Sequence, residues 1–335
     1  MSAAGPRVAL AMTDAARERM FPAARLAEIA EVAEIVGHLD EFTSDAAREI
    51  LASTEVIVTG WGSPLVGTEI LDAAPQLRAV LHSAGSIKAY VDPEVLLSGV
   101  AVSSMAAANA IPVAEYTVAM IVLANKRILP VAARYRQQPH GFDIEAAFPG
   151  LGNYGKRIGI VGASKIGRLV IELLRAYELD VVVHDPYLDE QDAAELGVRV
   201  LELDELLATS DVVSVHAPSL PSTRHLLDAR RIGLMAQGAT LLNTARGEII
   251  DQDALTTRIL AGELFAVLDV TTPEVLPAEH PLRGSDRVLI TPHAAGSLGS
   301  ELGRLARAVR DELGRLSRGE PLAFRIEPER LEITA

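Results

Sequence analysis

Cysteine is absent from the 335 residues, which removes disulfides, thiolate nucleophiles and cysteine-bound zinc from the chemistry on offer. Basic residues are also in short supply: 31 Lys and Arg against 45 Asp and Glu leave a net charge of −14. So acidic a chain repels the phosphates of nucleic acid and of anionic membranes, and neither is expected as a partner. No apolar run is expected to reach membrane-spanning length, and the stretch Met1 to Arg7 lacks the charged start and apolar core of a secretory signal. These absences point to a soluble globular protein, expected in the cytoplasm. Aromatic residues are few, and Trp61 is the single tryptophan. What the chain does have is 49% hydrophobic content, enough for a large core and a length that suits two domains.

The most informative stretch is Arg157-Ile158-Gly159-Ile160-Val161-Gly162-Ala163-Ser164-Lys165-Ile166-Gly167, followed by an apolar helix pattern and then Val181-Val182-Val183-His184-Asp185. A short apolar strand, a glycine turn, a helix and a second strand ending in an acid form the layout of a dinucleotide-binding βαβ unit. Gly162 permits the tight turn and Gly167 a close approach of helix to sheet, while the N–H groups near Lys165 and Ile166 are placed to hold a pyrophosphate. Asp185 is placed to accept ribose hydroxyls and repel a 2′-phosphate, which predicts NAD as the cofactor. Ser164 stands where a middle glycine is usual, and its Cβ is expected to loosen the pyrophosphate contact or push the cofactor outward.

Before this unit, short apolar strands alternate with helical stretches. Strands are expected at Val8-Ala9-Leu10-Ala11, Val56-Ile57-Val58-Thr59, Ala79-Val80-Leu81-His82 and Val100-Ala101-Val102, with helices at 24–33, 44–51 and 68–73. Repeated βα units imply a parallel, doubly wound sheet that binds ligands at the carboxyl ends of its strands. The loops at those ends are Gly60-Trp61-Gly62-Ser63-Pro64 and Ser83-Ala84-Gly85-Ser86-Ile87-Lys88. Small residues there expose backbone N–H groups to a carboxylate, and Lys88 adds a positive charge. Trp61 is a candidate wall of the substrate pocket or equally a packing residue, and the plainer alternative for the loops is a pair of surface turns with Lys88 solvated. Residues 110–129 read as a long helix apolar on most of its circumference, buried between domains or at a subunit interface. Residues 135–154, with Pro139, Gly141, Pro149, Gly150 and Gly152, read as a long excursion.

Beyond Asp185, strands are expected near 198–200, 212–215, 240–243, 265–268 and 287–290, which with the first two make a sheet of about seven. Polar clusters follow their ends: His216-Ala217-Pro218, Asn243-Thr244-Ala245-Arg246-Gly247-Glu248, Asp269-Val270-Thr271-Thr272-Pro273-Glu274 and Thr291-Pro292-His293-Ala294-Ala295-Gly296. Arg246, Glu274 and His293 are a permanent cation, an acid and a side chain that titrates near neutrality, the set needed to move a hydride and a proton together. A carboxylate on the imidazole would fix its tautomer and favour imidazolium, and Arg246 would grip a substrate carboxylate and polarise the neighbouring carbonyl. Singly, each residue has a duller role: an ion pair of Arg246 with Glu248 or Asp251, a loop charge at Glu274, a helix cap at His293.

As a set, Asn243-Thr244-Ala245-Arg246-Gly247, Leu268-Asp269-Val270 with Glu274, and Thr291-Pro292-His293-Ala294-Ala295-Gly296 resemble the D-isomer-specific 2-hydroxyacid dehydrogenases. Val113-Ala114-Glu115, His216-Ala217-Pro218 and the glycine motif match as well. The resemblance implies an α/β protein of two doubly wound parallel-sheet domains. A Rossmann nucleotide domain, residues 110–296, would be inserted into a flavodoxin-like substrate domain of residues 1–109 and 297–335, whose tail 322–335 contributes to the pocket. It implies a homodimer formed through the nucleotide domain, and an enzyme that interconverts a D-2-hydroxy acid and its 2-oxo acid with NAD. Arg246 would bind and polarise substrate, His293 would be the acid/base and Glu274 its orienter. Asp269 would meet the nicotinamide amide, with Thr117, Ala217, Thr223, Thr244 and Ala245 lining the cofactor and the loop Ala84-Gly85-Ser86-Ile87 holding the substrate carboxylate. Besides Ser164, departures from the family pattern are Thr271 in place of an aromatic, Val275 in place of a proline, and Lys88 near an expected aspartate-containing turn. A phosphite-oxidising relative carries a lysine in that loop, which keeps a small inorganic oxyanion open as substrate, and NADH-sensitive corepressors keep a binding role open. Formate-oxidising relatives have glutamine at the position of Glu274, which argues against formate.

Overall fold

A computed structural model describes residues 5–138 and 140–328. Residues 1–4 of the stretch Met1 to Arg7, Pro139 of the expected excursion, and 329–335 of the tail lie outside the described residues. The chain divides into two compact units, one of residues 1–110 and 297–335, the other of residues 111–296.

In the first unit, five parallel strands, β1 (Arg7–Ala11), β2 (Glu34–Leu39), β3 (Val56–Thr59), β4 (Ala79–His82) and β5 (Ala101–Ser104), lie in the order β2-β1-β3-β4-β5, the flavodoxin-like order. Alternation along β1 feeds two separate cores. Val8 and Leu10 pack with Val56, Val58 and Leu81 under Leu305, Val309 and Leu313 of the helix Leu302–Ser317. Ala9 and Ala11 pack on the other face with Ile57, Val80, Val102, Leu51 and Ile70. Both faces are therefore covered, as an all-parallel sheet requires. The strand β2 and the helix Asp14–Met20 were not anticipated from the sequence; β2 is an edge strand, mostly half-buried, and its Glu34, Gly37 and His38 break the apolar signature.

The second unit holds β6 (Arg157–Val161), β7 (Asp180–His184), β8 (Arg199–Val200), β9 (Val212–Val215), β10 (Thr240–Asn243), β11 (Phe265–Leu268) and β12 (Val288–Ile290). All seven are parallel, in the order β12-β11-β10-β9-β6-β7-β8. The order reverses between β6 and β9, the switch point at which Rossmann sheets open a ligand crevice. The long helix runs from Ala106 to Asn125, starting and ending four residues before the expected 110–129, with Pro112 inside it. By length and composition this helix could cross a membrane, contrary to the expectation that no such run exists. Its Ala114, Val118 and Ile121 instead pack against Ile158 and Ile160 of the sheet.

The expected excursion begins at 138 rather than 135, because a second helix covers its first three residues. The first helix ends at Asn125, and Arg127, at φ 51°, caps the start of a second one, Ile128–Gln137. Arg127 is tied down at this break: its guanidinium donates to the Gly238 carbonyl and to Thr240 Oγ1 at 2.6 Å, and lies 4.1 Å over the Phe265 ring. Only the stretch after it, relieved by the short helix Ile144–Ala147, is irregular.

Candidate active site

The glycine turn between β6 and the helix Lys165–Leu174 is built for close approach. Gly162 has φ +101°, and a Cβ there would lie 2.6 Å from the Ala217 nitrogen, so only glycine fits. A Cβ on Gly167 would collide with the Gly162 carbonyl, so this glycine closes the turn on itself. Ser164 is the helix N-cap: its Oγ accepts the Gly167 N–H at 3.3 Å. The N–H groups of Lys165 and Ile166, in the first helical turn, have no preceding turn to bond to and are left for an anion. Asp185 accepts the Ala163 N–H at 2.7 Å on Oδ2 and the Tyr187 N–H at 2.8 Å on Oδ1. Each oxygen retains a lone pair for a ribose hydroxyl. These residues fit a dinucleotide. Beneath the turn, His216 is buried with Nε2 2.8 Å from Ser214 Oγ, and burial pushes its pKa down to about 3.

Other expected cofactor residues occupy the same unit. Thr117 Oγ1 lies 3.2 Å from Thr244 Oγ1, and Ala217 is buried beside Gly162. The Ala245 N–H is already donated to Asn243 Oδ1 at 3.0 Å, and the Thr223 hydroxyl closes its own turn on the Pro218 carbonyl at 2.6 Å.

Arg246, Glu274 and His293 follow the carboxyl ends of β10, β11 and β12, three adjacent strands. Glu274 Oε1 is 2.7 Å from His293 Nδ1, with both side chains about half exposed. Among the described residues Arg246 forms no ion pair; its Nη1 donates to the Ala245 carbonyl at 2.7 Å, while Glu248 is engaged by Ser219. Asn243 Nδ2 donates to the Arg246 carbonyl at 2.9 Å and so pins that loop. The Thr271 hydroxyl, standing where the family pattern has an aromatic, bonds the carbonyls of Pro273 at 2.7 Å and Glu274 at 3.0 Å and so holds the Glu274 loop. His293 itself sits at φ 54°, a left-handed conformation that costs a non-glycine residue roughly 1 kcal/mol and persists only where its surroundings enforce it.

Asp269 supplies that enforcement. It is 1% exposed, and its Oδ1 accepts the Thr291 hydroxyl at 2.6 Å and the Ala294 N–H at 2.7 Å, while Oδ2 accepts the Ala295 N–H at 3.0 Å. The Asp269 carbonyl takes the His293 N–H at 2.9 Å. Thr291 is in turn 2.9 Å from the Tyr116 hydroxyl. Neither this network nor the roles of Asn243 and Thr271 were read from the sequence. Thr291 lay inside the quoted Thr-Pro-His run, but nothing local to it points to Tyr116.

The remaining expected residues lie in the first unit. Ala84 and Ile87 bury their side chains, leaving only their backbone for a ligand, while Lys88 and Trp61 are exposed. Among the described residues, the N–H groups of Ala84, Gly85, Ser86 and Ile87 find no acceptor, whereas the carbonyls of Ala84 and Gly85 both take the Ser104 hydroxyl. Consecutive free N–H groups of this kind form an anion-binding concavity. Ser104, which fixes the loop, was missed because it reads as an ordinary strand residue.

Comparison with known proteins agrees with these features. Residues 118–295 match the family model of the D-isomer specific 2-hydroxyacid dehydrogenase NAD binding domain. D-3-phosphoglycerate dehydrogenase of Mycobacterium tuberculosis is 34% identical over 233 residues, 69% of this chain but 43% of that protein, so the chain matches less than half the length of this relative. Glyoxylate reductase of Korarchaeum cryptofilum is 31% identical over 267 residues, 76% of this chain and 77% of that one. The crystal structure of D-lactate dehydrogenase from Aquifex aeolicus, complexed with NAD and lactic acid, superposes with a TM-score of 0.70 at 25% identity, covering 94% of this chain and 96% of that one. With the glycine turn, the Asp185 carboxylate and the strand-end cluster in a sheet of Rossmann order, this chain belongs to the D-isomer specific 2-hydroxyacid dehydrogenase family, and its second unit is an NAD-binding domain.

Proposed function

We propose that the protein interconverts a D-2-hydroxy acid and its 2-oxo acid. NAD, when bound, supplies or takes up the hydride. The observation that carries the reading is the 2.7 Å contact of Glu274 Oε1 with His293 Nδ1, in a loop next to the one bearing Arg246. A carboxylate only accepts, so Nδ1 carries its proton toward Glu274 and Nε2 is left as the exchanging nitrogen. In oxidation, neutral Nε2 takes the hydroxyl proton as the hydride leaves carbon; in reduction, the imidazolium returns it to the carbonyl oxygen. Arg246 offers a permanent charge for the oxygen on which negative charge builds. We assign the substrate carboxylate to the free N–H groups of residues 84–87. A homodimer formed through the second unit belongs to the same reading, supported by the exposed Ile128, Leu129 and Tyr135 of one helix.

The test is NADH consumption against 2-oxo acids of graded size, repeated with NADPH and with His293→Ala. The expected result is turnover on one size class with NADH preferred, lost in the variant while NADH affinity stays near normal. Equal loss of turnover and NADH binding in His293→Ala would overturn the acid/base assignment.

A further inference from the structure

Tyr116 takes no part in the chemistry above, yet its hydroxyl ends a chain of contacts that starts at the catalytic loop. We propose that Tyr116 is a positioning residue for His293, acting through Thr291 and Asp269; this rests on the reading of His293 as the acid/base. Proton accounting gives the chain a direction. The Asp269 carboxylate only accepts, so the single Thr291 hydroxyl proton lies in the 2.6 Å bond to Oδ1. The Thr291 oxygen is then an acceptor, and the Tyr116 O–H donates to it across 2.9 Å. Burial raises the Tyr116 pKa, outweighing the lowering by its bond to Thr291 and joined by the charge of Asp269, so that phenol stays protonated.

The chain ends on the carboxylate that also holds the Ala294 and Ala295 N–H groups, the two residues that follow His293. Bonds in series polarise one another, so the Tyr116 donor strengthens the grip of Thr291 on Asp269. That grip fixes a loop whose central residue is at φ 54°. Tyr116 belongs to the helix Ala106–Asn125, which packs on the sheet through Ala114, Val118 and Ile121, so the donor is mounted on a rigid element. A small shift of the imidazole from its productive position costs rate without changing how substrate or cofactor binds.

The experiment compares Tyr116→Phe, Thr291→Val, their combination and Thr291→Ser for kcat, KM and NADH Kd. It also measures hydrogen exchange of the Ala294 and Ala295 amides by NMR. Tyr116→Phe is expected to lower kcat about three- to tenfold with KM and Kd unchanged, and to speed exchange of both amides by a similar factor. Because Tyr116 acts only through Thr291, the double variant is expected to be no worse than Thr291→Val alone. Thr291→Ser, which keeps the hydroxyl, is expected to restore the wild-type pattern. Unchanged exchange in Tyr116→Phe, or effects that multiply in the double variant, would overturn the proposal. A wild type that turns over no 2-oxo acid would overturn the acid/base reading instead, and the exchange rates would still decide the role of Tyr116.

Discussion

A β-carbon on Gly247 would collide with the carbonyl group of Thr271 and lie 2.6 Å from Thr272 Oγ1. The loop carrying Arg246 and the loop carrying Glu274 are therefore in direct contact through a glycine that has no room for a side chain. Gly247→Ala must move one loop or the other, at a cost of about 1–3 kcal/mol for overpacking. Turnover is expected to fall by about tenfold or more, because a displacement of either loop separates groups that must act together. Gly233→Ala is the control: a Cβ there meets nothing within 4 Å, and in its helix it is expected to stabilise by about 0.5–1 kcal/mol. Urea unfolding and steady-state rates on the two variants decide the point, and a fully active, stable Gly247→Ala would refute it.

Ser164 has two separable effects. Its hydroxyl caps a helix by accepting the Gly167 N–H, and its Cβ stands in the turn expected to approach the pyrophosphate. Ser164→Ala removes the cap alone and is expected to cost about 1 kcal/mol of stability, whereas Ser164→Gly costs a few tenths. Ser164→Gly also removes the Cβ and is expected to tighten NADH binding by no more than about tenfold. Fluorescence titration with NADH separates the effects; identical Kd values for Ser164→Gly and wild type would mean that the Cβ does not meet the cofactor.

Two buried histidines make the protein sensitive to acid. Burial lowers the pKa of His82 to about 4 and that of His216 to about 3, both below the unfolded value near 6.5. Between these values the unfolded chain binds protons that the folded chain does not, so stability falls as pH drops below about 6.5 and continues to fall toward 4 and 3. Each histidine is expected to contribute about 2 kcal/mol of loss between pH 7.5 and 5. His216→Gln should remove about half of the combined slope in urea unfolding series across that range. An unaltered slope would show that His216 is not what resists protonation.

What the sequence disclosed and what it hid differ in a physical way. The glycine turn, Asp185 and the Arg246, Glu274 and His293 cluster were legible because strand, turn and strand-end residues are local in the chain and the parallel sheet puts strand ends together. The Asp269 network was hidden because its donors come from the loop after β12 and from the helix Ala106–Asn125, and no periodicity encodes which polar groups meet. Thr271 read as a departure from a pattern, and only its bonds to the Pro273 and Glu274 carbonyls reveal a hydroxyl doing the holding. The strand β2 was missed because an edge strand needs less apolar surface than a central one, so Glu34, Gly37 and His38 masked it.

Glu312 is the one fully buried carboxylate side chain of the helix Leu302–Ser317, at 0% exposure. Its Oε2 accepts the Ser103 hydroxyl at 2.9 Å and the Phe324 N–H at 3.3 Å, and its Oε1 accepts the Ala323 N–H at 2.8 Å. These bonds lay the chain after the helix along β5, where the Ile326 N–H reaches the Val102 carbonyl at 2.8 Å and the Ser104 N–H the Phe324 carbonyl at 3.3 Å. Ser104 in turn carries the loop of free N–H groups through the Ala84 and Gly85 carbonyls. Glu312→Ala leaves the buried Ser103 hydroxyl and the less buried Ala323 and Phe324 N–H groups without their acceptor and is expected to cost about 2–3 kcal/mol. Glu312→Gln, which keeps one acceptor oxygen, is expected to cost about half as much. Trypsin should then cut at Arg318 and Arg325 faster in both variants, in the order of their destabilisation, and KM for the proposed 2-oxo acid substrate should rise as the loop loosens. Cleavage at the wild-type rate in Glu312→Ala would show that the segment is held to β5 without the carboxylate.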